Sequence, residues 1–412
     1  MRFLQEPIHQ TEGAPPVSRV TSIFSQILQL YPRLEFEAAV KFHQAERHSR
    51  GFTCWGQFIA MVFCQLGRAH SLREICQGLA ASEGKLRHLG LPETPKRSTL
   101  SYANAHRPWQ LYEMIFQILY RRCSSSAAER QKKFSFSNKL LSIDSTVITV
   151  CTSLFQWASY TRHKGALKLH LLLDHDGYLP KFAVITDGNK SDISVALEME
   201  FEPGTMLVCD RGYIRYGWWA GLTNKGVWFV SRLRENAKYE VIESAVLPTD
   251  PSPEEKKTRV TADRRIVFPE QKRRKDRPEF RLVEITTEAG EVLEFITNAH
   301  HLDALTIAAV YKDRWQIETF FRSLKQLLKI KTFVGTNENA VRIQIWTALI
   351  AMLILRYLKL QASFNWSLSN LLALLRQQLF VHRDLWAWLN KPYEPPPGVA
   401  DLPVQLSLVP TP

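Results

Sequence analysis

The stretch that decides the fold is Leu140-Leu141-Ser142-Ile143-Asp144-Ser145-Thr146-Val147-Ile148. It is an apolar run rich in β-branched residues, and its length is that of a strand buried in a sheet. Asp144 interrupts this run near its middle. An ionised carboxylate is costly to bury unless it is paired with a cation or bound to a metal. The segment therefore predicts a core strand carrying one acid that needs a partner.

Further strand-like runs follow at 167–173, 182–186, 206–210 and 227–230. Helices are predicted near 193–199 and 216–224, between the later strands. Three successive strands followed by alternating helix and strand indicate a mixed α/β sheet. Asp210 ends one of these strands, just before a glycine turn. A strand-end cap or a salt bridge explains one such Asp, but two on strands of one sheet favour a shared site.

A phosphate site with two ions needs about three carboxylates, because magnesium takes only one or two protein carboxylates per ion. A predicted helix from Tyr311 to Lys331 supplies the third in Glu318. At ~100° per residue, one arc of roughly 60° contains Tyr311, Arg314, Glu318 and Lys325, with Arg322 and Lys329 on or beside it. A neighbouring apolar stripe contains Val310, Ile317, Phe321, Leu324 and Leu328. The alternative is an ordinary solvated helix face.

Composition narrows the class of protein. The chain has 412 residues, enough for two or three domains of roughly 100–200 residues each. Hydrophobic residues make up 45% and charged residues 23%, which excludes a disordered chain, a collagen-like fibre and a disulfide mini-protein. The 53 Lys and Arg exceed the 40 Asp and Glu by 13, and this surplus favours nucleic acid as the partner. A merely basic soluble protein is the alternative.

Cysteine usage and hydropathy indicate a soluble cytoplasmic protein. The six cysteines form no CxxC pair and lie mostly in apolar runs, as buried thiols in a reducing compartment would, so no zinc site is predicted. The N-terminus lacks the apolar segment of a signal peptide. The longest apolar stretch, 343–358, is interrupted by Gln344 and Arg356 and is shorter than a membrane span.

Changes in composition and periodicity divide the chain into segments. We expect a flexible arm at 1–17, an all-helical N-terminal domain at 18–130, an α/β core at 138–234 and 301–335, a β-rich insertion at 235–300, C-terminal helices at 336–392, and an irregular tail at 393–412. In the N-terminal domain, Ser71 and Glu74 have capping-box spacing, and Lys96-Arg97 begins another helix. This pair is either a helix-turn-helix DNA reader or an ordinary helix pair.

The order Tyr311-x2-Arg314-x3-Glu318-x6-Lys325 resembles the signature of the insertion-sequence-4 family of bacterial DDE transposases. Around the two strand carboxylates, Ile143-Asp144-Ser145-Thr146 and Cys209-Asp210-Arg211-Gly212-Tyr213 resemble family motifs as well. The resemblance also includes Lys164-Gly165 and Lys168-Leu169-His170. The helical region from Phe24 to about Tyr120 is similar to the domain that precedes the catalytic core in one branch of this family.

The resemblance implies an RNase H-like core with a β-rich insertion, preceded by an all-helical domain that binds DNA ends. It implies that Asp144, Asp210 and Glu318 are catalytic and hold two divalent ions, Mg2+ or Mn2+. It also implies a DNA-binding set that grips phosphates, consisting of Tyr311, Arg314, Arg322, Lys325 and Lys329. The cluster at 272–275 either follows the DNA backbone or is a solvated loop.

The expected activity is cut-and-paste DNA transposition, with metal-dependent strand cleavage followed by strand transfer. The expected partners are double-stranded DNA, both terminal inverted repeats and target, and a second copy in a synaptic homodimer at the bacterial nucleoid. The alternatives are a metal-dependent DNA nuclease of the same fold and a non-catalytic DNA-binding repressor. This sequence departs from the family pattern in one respect: some members of the family carry a base-stacking Trp in the insertion. None lies between Trp228 and Trp315, and the candidate substitutes are Tyr239, Phe268 and Phe280.

Overall fold

The computed structural model describes residues 21–47, 49, 51–82, 84, 86–128, 133–150, 157, 159–161, 164–247, 258–269, 278–327 and 333–395. The expected arm at 1–17 and the basic cluster at 272–275 lie outside these residues, as does nearly all of the expected tail. The capping box at Ser71 forms: its hydroxyl accepts the Glu74 backbone N–H at 3.2 Å. The Glu74 carboxylate in turn accepts the backbone N–H of His70 at 2.8 Å.

The α/β core contains the predicted mixed sheet. It consists of β1 (Leu140–Val150), β3 (Lys164–Asp174), β4 (Leu179–Asp187), β5 (Met206–Cys209) and β6 (Trp228–Arg232). The short β2 (Ser159–Thr161) pairs with the start of β3. The three antiparallel strands β4, β3 and β1 are followed by β5 and β6, which run parallel to β1. This order, with α7 (Asp192–Glu198) between β4 and β5 and α8 (Tyr216–Asn224) between β5 and β6, confirms the RNase H-like prediction.

The segment between this core and the next helices is rich in strands, as predicted. Its members are β7 (Glu240–Ser244), β8 (Thr258–Val267), β9 (Phe280–Thr287) and β10 (Val292–Thr297). They do not form a sheet of their own. Instead β10 pairs antiparallel with β6, so the insertion continues the core sheet in the order β6-β10-β9-β8-β7.

Helices from both ends of the chain share one hydrophobic core. The N-terminal set consists of α1 (Ile23–Gln29), α2 (Arg33–Phe42), α3 (Cys54–Leu66), α4 (Leu72–Ala80), α5 (Arg97–His106) and α6 (Gln110–Ala128). The C-terminal set consists of α11 (Glu338–Gln361), α12 (Leu368–Gln378) and α13 (Leu385–Asn390). Side chains of both sets, together with the faces of β3 and β4 that cover them, belong to a single buried cluster.

The connection between α4 and α5 bears on the helix-turn-helix interpretation. A helix-turn-helix joins its helices through a turn of about three or four residues. Here α4 ends at Ala80 and α5 begins at Arg97, and a one-turn 3-10 helix at Arg87–Leu89 lies between them. This long connection favours the ordinary helix pair.

The predicted continuous helix of residues 311–331 is wrong in one respect. The structure has α9 (Ala304–Asp313) and α10 (Trp315–Leu327), which meet at Arg314. The Arg314 N–H donates to the Tyr311 carbonyl at 3.1 Å, and the Ile317 N–H donates to the Arg314 carbonyl at 3.0 Å. These bonds span three residues instead of four, so the chain tightens locally at the junction.

The helix α11 is long and apolar enough to cross a membrane by length and composition alone, so the prediction that this segment is too short is wrong. Its burial explains its apolar character. Most of it lies inside the protein against α3, α5 and α6, as expected for the central helix of a core.

Candidate active site

Parallel strand pairing brings Asp144 and Asp210 together. In the register of β1 and β5, Ser142 lies opposite Val208. Continuing this register by two residues sets Asp144 opposite Asp210, and neighbouring strands are about 4.8 Å apart. Both acids therefore lie at the carboxyl end of the β5 pairing, where a parallel sheet commonly places its functional groups.

Asp210 is held by the turn that follows β5. Its side chain caps the 3-10 helix Arg211–Tyr213, and its Oδ1 accepts the Gly212 backbone N–H at 2.8 Å. A Cβ atom added at Gly212 would lie 3.0 Å from that same oxygen. The glycine in this motif is therefore explained by the close approach of the carboxylate.

Arg314 joins the third carboxylate to the first. Its Nη2 lies 2.7 Å from Glu318 Oε1, and its Nη1 lies 3.8 Å from Asp144 Oδ2. Burial works against the charged form of Arg314, but the hydrogen bond to Glu318 and the charges of Tyr311, Glu318 and Asp144 together outweigh it, and the pKa lies above its ordinary value. Asp144 and Glu318, far apart in sequence, thus lie on either side of one guanidinium.

The electrostatics of Asp144 reflect these neighbours. Burial is the largest influence and, with the negative charges of Asp210 and Glu318, raises the pKa of Asp144 to about 7. The Ser145 backbone N–H, 2.7 Å from Asp144 Oδ1, and the Arg314 cation oppose this shift. Burial and the two neighbouring carboxylates together thus outweigh the stabilisation that Arg314 and the Ser145 N–H give to ionised Asp144.

Tyr311 lines the same site. Its ring packs against Phe295 with centroids 4.9 Å apart, and the Arg314 guanidinium carbon lies 5.5 Å from the centre of the Tyr311 ring. Burial raises the pKa of its hydroxyl, and Asp210 contributes in the same direction. The structure thus gathers Tyr311 with Arg314 and the carboxylates.

The other predicted DNA-binding residues follow along α10. Arg322 is exposed and Lys325 is partly buried, one and two turns beyond Glu318. The apolar stripe is buried as predicted at Val310, Ile317 and Leu324. Lys329 and Leu328 lie outside the described residues.

Sequence reasoning missed a buried polar cluster beside this site, centred on Asp313. The Asp313 carboxylate contacts His175 Nδ1 at 2.6 Å, Lys133 Nζ at 2.5 Å and the Tyr178 hydroxyl at 3.3 Å. Burial disfavours its ionised form, but the hydrogen bonds from His175 and Lys133 outweigh this and lower its pKa. On the other side of the imidazole, His175 Nε2 lies 2.6 Å from the hydroxyl of Ser142 in β1.

The Asp313 cluster ties the end of α9 to β1 and to the turn between β3 and β4. Because Asp313 precedes Arg314, the cluster fixes the backbone from which the guanidinium extends. The signal available in the sequence was the pair His175 and Asp176, which predicts only a turn when it is considered alone.

The aromatic candidates in the insertion behave differently from one another. Phe268 and Phe280 are fully buried, and Phe268 stacks on Tyr216 with centroids 3.8 Å apart, so neither presents a face to a base. Tyr239 is partly buried. Trp315, which opens α10 next to Arg314, is 54% exposed.

The donor set fits hard divalent cations, since three carboxylates supply the oxygen ligands that Mg2+ prefers. Among the described residues, no three His, Cys, Asp or Glu side chains are grouped closely enough to hold a metal ion as they stand. The position of Arg314 accounts for this spacing, because its guanidinium lies between Asp144 and Glu318.

Comparisons with known proteins agree with this site. The family model described as "Transposase DDE domain" matches residues 135–354, which include all three carboxylates. A second model, described as a "Domain of unknown function (DUF4372)", matches residues 19–92 in the N-terminal helices.

Curated relatives carry the same description. A putative transposase of Sinorhizobium fredii is 31% identical over 76% of this chain and 86% of its own length. A probable transposase for insertion sequence element IS5377 of Geobacillus stearothermophilus is 28% identical over 63% of this chain and 67% of its own. A putative transposase for insertion sequence element IS4SA of a Synechocystis strain is 26% identical over 65% of this chain and 72% of its own. The chain therefore belongs to the DDE transposases of insertion sequences, metal-dependent enzymes that bind DNA, cleave it and transfer the cut strands.

Proposed function

We propose that Asp144, Asp210 and Glu318 are the catalytic carboxylates of this transposase and that together they hold two Mg2+ or Mn2+ ions. The observation that carries the proposal is the bridge from Asp144 through Arg314 to Glu318, beside Asp210 on the next strand. Two ions held by carboxylates activate an attacking hydroxyl and stabilise the leaving oxygen of a phosphoryl displacement. Bound divalent cations would stabilise the ionised form of Asp144, whose pKa is raised first by burial and then by the negative charges of Asp210 and Glu318.

In this proposal Arg314 has two sets of partners. Without DNA, its guanidinium neutralises Asp144 and Glu318. With ions and DNA bound, it turns to a phosphate next to the cleaved bond, which a guanidinium grips with two parallel hydrogen bonds. Arg314 thus keeps the carboxylates from repelling one another until the substrate arrives.

The remaining DNA contacts are assigned along the same helices. Tyr311 orients the Arg314 side chain and donates its hydroxyl to a phosphate. Arg322 and Lys325 continue the phosphate track along α10, and Lys329 extends it. The N-terminal helices bind the element ends. The domains are those that the sequence predicts.

The reaction is assigned as cut-and-paste transposition at the nucleoid, in the cytoplasm. The terminal inverted repeats are the first substrate and target DNA is the second. Both ends must be cut and joined together, so we propose a synaptic homodimer in which each copy acts on one end.

The test is a cleavage and joining assay on DNA carrying the element end, with full-length protein. Glu318→Gln should abolish both cleavage and the joining of pre-cleaved ends while leaving end binding within about threefold of wild type. Glu338→Gln is the matched control, because Glu338, like Glu318, lies in the first turn of a helix and pairs with an arginine four residues away. It should remain active.

The same assay separates the alternatives. Cleavage by the wild type without joined product would favour a nuclease. Unchanged DNA processing by Glu318→Gln or Asp210→Ala would remove the carboxylates from catalysis and overturn the proposal.

A further inference from the structure

A cavity of about 400 Å3 lies between the turn that joins β3 to β4 and the C-terminal half of α11. Its wall includes Lys133, His175, Tyr178, Arg356 and Lys359. Three of these five residues are cations, and one acid, Asp176, also lines the cavity. The cavity adjoins the Asp313 cluster through Lys133 and His175. A water molecule takes up about 30 Å3 in the liquid, so the cavity has room for a group much larger than one water.

Arg356 is the unusual member of this wall. It is 9% exposed, and its guanidinium carbon lies 5.1 Å from the centre of the Phe320 ring. Within the described part of the chain, its Nε has no hydrogen-bond partner and no carboxylate pairs with the guanidinium. Burial lowers the pKa of Arg356 to about 10. A buried charge without a counter-charge is costly, so proteins normally pair it or bind a ligand to it.

Lys359 adds a second positive charge on the same helix, one turn beyond Arg356. Burial lowers the pKa of Lys359, and the positive charge of Arg356 lowers it further. The acids nearby already have partners: Asp313 pairs with Lys133, and Asp176 lies 2.8 Å from Lys139 Nζ. Lys139 also pairs with Asp174, so these three acids face two lysines. Arg356 and Lys359 therefore leave the region with a net surplus of one positive charge.

We propose that this cavity is a binding site for a phosphate group, held by Arg356 and Lys359. A guanidinium offers two parallel donors to a phosphate, and an ammonium adds a point charge at the mouth of the cavity. The phosphate comes either from the solution, as inorganic phosphate or a nucleotide, or from the backbone of bound DNA.

The first experiment measures thermal unfolding of the full chain in inorganic phosphate and in chloride at equal ionic strength. The wild type should gain thermal stability with phosphate and saturate in the millimolar range. Arg356→Met should unfold at a higher temperature than wild type in chloride, because the unpaired buried charge is gone. It should also need at least tenfold more phosphate for the same gain.

Two further variants keep this test decisive. Arg342→Gln is the matched control, since Arg342 lies on the same helix but pairs with Glu338, and it should respond to phosphate as wild type does. Lys359→Gln changes a side chain at the protein surface and so tests the site without disturbing the core. It should weaken the response severalfold. Equal phosphate responses in all four chains, or no response in the wild type, would overturn the proposal.

A second experiment, which measures duplex DNA binding, distinguishes phosphate from solution from phosphate of the DNA backbone. If the phosphate belongs to the DNA backbone, Arg356→Met weakens duplex binding at least tenfold and added phosphate competes with the duplex. If it comes from solution, duplex affinity is the same in wild type and Arg356→Met. Either result supports the site, and Glu318→Gln should bind phosphate as wild type does, which separates this inference from the catalytic proposal.

Discussion

At the scale of single residues, the site depends on close contacts that leave little freedom. Asp210 is fixed by the backbone N–H of Gly212, and Asp144 by the backbone N–H of Ser145. Backbone donors hold a carboxylate more rigidly than flexible side chains do. The geometry of the proposed site is therefore expected to be sensitive to changes in neighbouring residues such as Gly212.

Gly212→Ala tests this sensitivity. The new Cβ would lie 3.0 Å from Asp210 Oδ1, so the carboxylate must shift by a few tenths of an ångström. We expect cleavage to fall by about tenfold to a hundredfold, because small misplacements of reacting groups are costly. Cleavage rate and the free energy of unfolding, from urea denaturation, are the measurements.

Gly221→Ala is the control for that change. Gly221 lies within α8, and a Cβ there meets no atom within 4 Å. It should leave cleavage unchanged and stabilise the protein by about 0.5–1 kcal/mol, as expected when alanine replaces glycine inside a helix. Equal cleavage by both alanine variants would show that Asp210 tolerates the crowding.

His170 gives a pH-dependent prediction. It is 1% exposed, lies 3.0 Å from the Thr186 hydroxyl, and faces Asp192, Lys168 and Lys190. Burial is the main cause that lowers its pKa to about 4, with the two lysines adding to the shift and Asp192 opposing it. The unfolded chain therefore binds a proton that the folded chain does not between about pH 6.5 and pH 4.

Folding stability should accordingly be full above pH 6.5 and decline as the pH falls towards 4, by up to about 3 kcal/mol from this group. His170→Gln should flatten that part of the profile. Urea unfolding at several pH values measures it. Parallel profiles for wild type and His170→Gln would show that another group causes the loss.

At the scale of elements, the sequence predicted those strands and helices whose apolar residues follow a regular pattern. The apolar runs gave β1, β5 and β6 nearly to the residue, and carboxylates inside them pointed to Asp144 and Asp210. Within the insertion, neither β7 nor β8 was predicted as a strand. All five residues of β7 are exposed and show no alternation of buried and exposed positions. Antiparallel pairing with β8 holds β7 in the strand conformation, which its own residues do not specify.

The junction at Arg314 could not be predicted for a related reason. No glycine or proline interrupts residues 311–327, so the local pattern is that of one helix. The break arises from tertiary contacts: Asp313 is held by His175 and Lys133, while Arg314 reaches Asp144 across the sheet. Contacts between residues more than a hundred positions apart leave no local signal.

Asp313→Asn tests the role of this junction. The Asp313 side chain is 2% exposed, so removing its charge leaves Lys133 and His175 without their acidic partner. We expect a loss of about 2–4 kcal/mol in the free energy of unfolding. Glu198→Gln, which breaks an exposed pair with Lys190, is the control and should cost less than about 1 kcal/mol. Similar small losses in both would mean that the cluster does not anchor α9.

At the scale of the whole molecule, α11 joins the two ends of the chain. It packs against α3, α5 and α6, and its buried Trp346 lies 5.3 Å from Phe116 of α6, centroid to centroid. The N-terminal helices therefore do more than present a DNA-binding surface, because they cover the apolar face of a helix that supports β4 and α10.

A truncated chain beginning at residue 133 should consequently fail to fold. Loss of α6 alone would expose Trp346 and its neighbours to water, at roughly 25 cal/mol for each Å2 of apolar surface. In the full chain, tryptophan fluorescence and far-ultraviolet circular dichroism should report one coincident unfolding transition. Residues 21–128 supplied as a second polypeptide should restore solubility. A soluble truncated chain with a cooperative transition would instead establish an independent catalytic domain.

The central claim is that Asp144, Asp210 and Glu318 act as one cation-binding site, and Mn2+ binding followed by electron paramagnetic resonance tests it most directly. The account predicts that the full chain binds Mn2+ and that Asp144→Asn, Asp210→Asn and Glu318→Gln each weaken this binding at least tenfold, while Glu338→Gln does not. Wild-type Mn2+ affinity in any one of the three variants would contradict it.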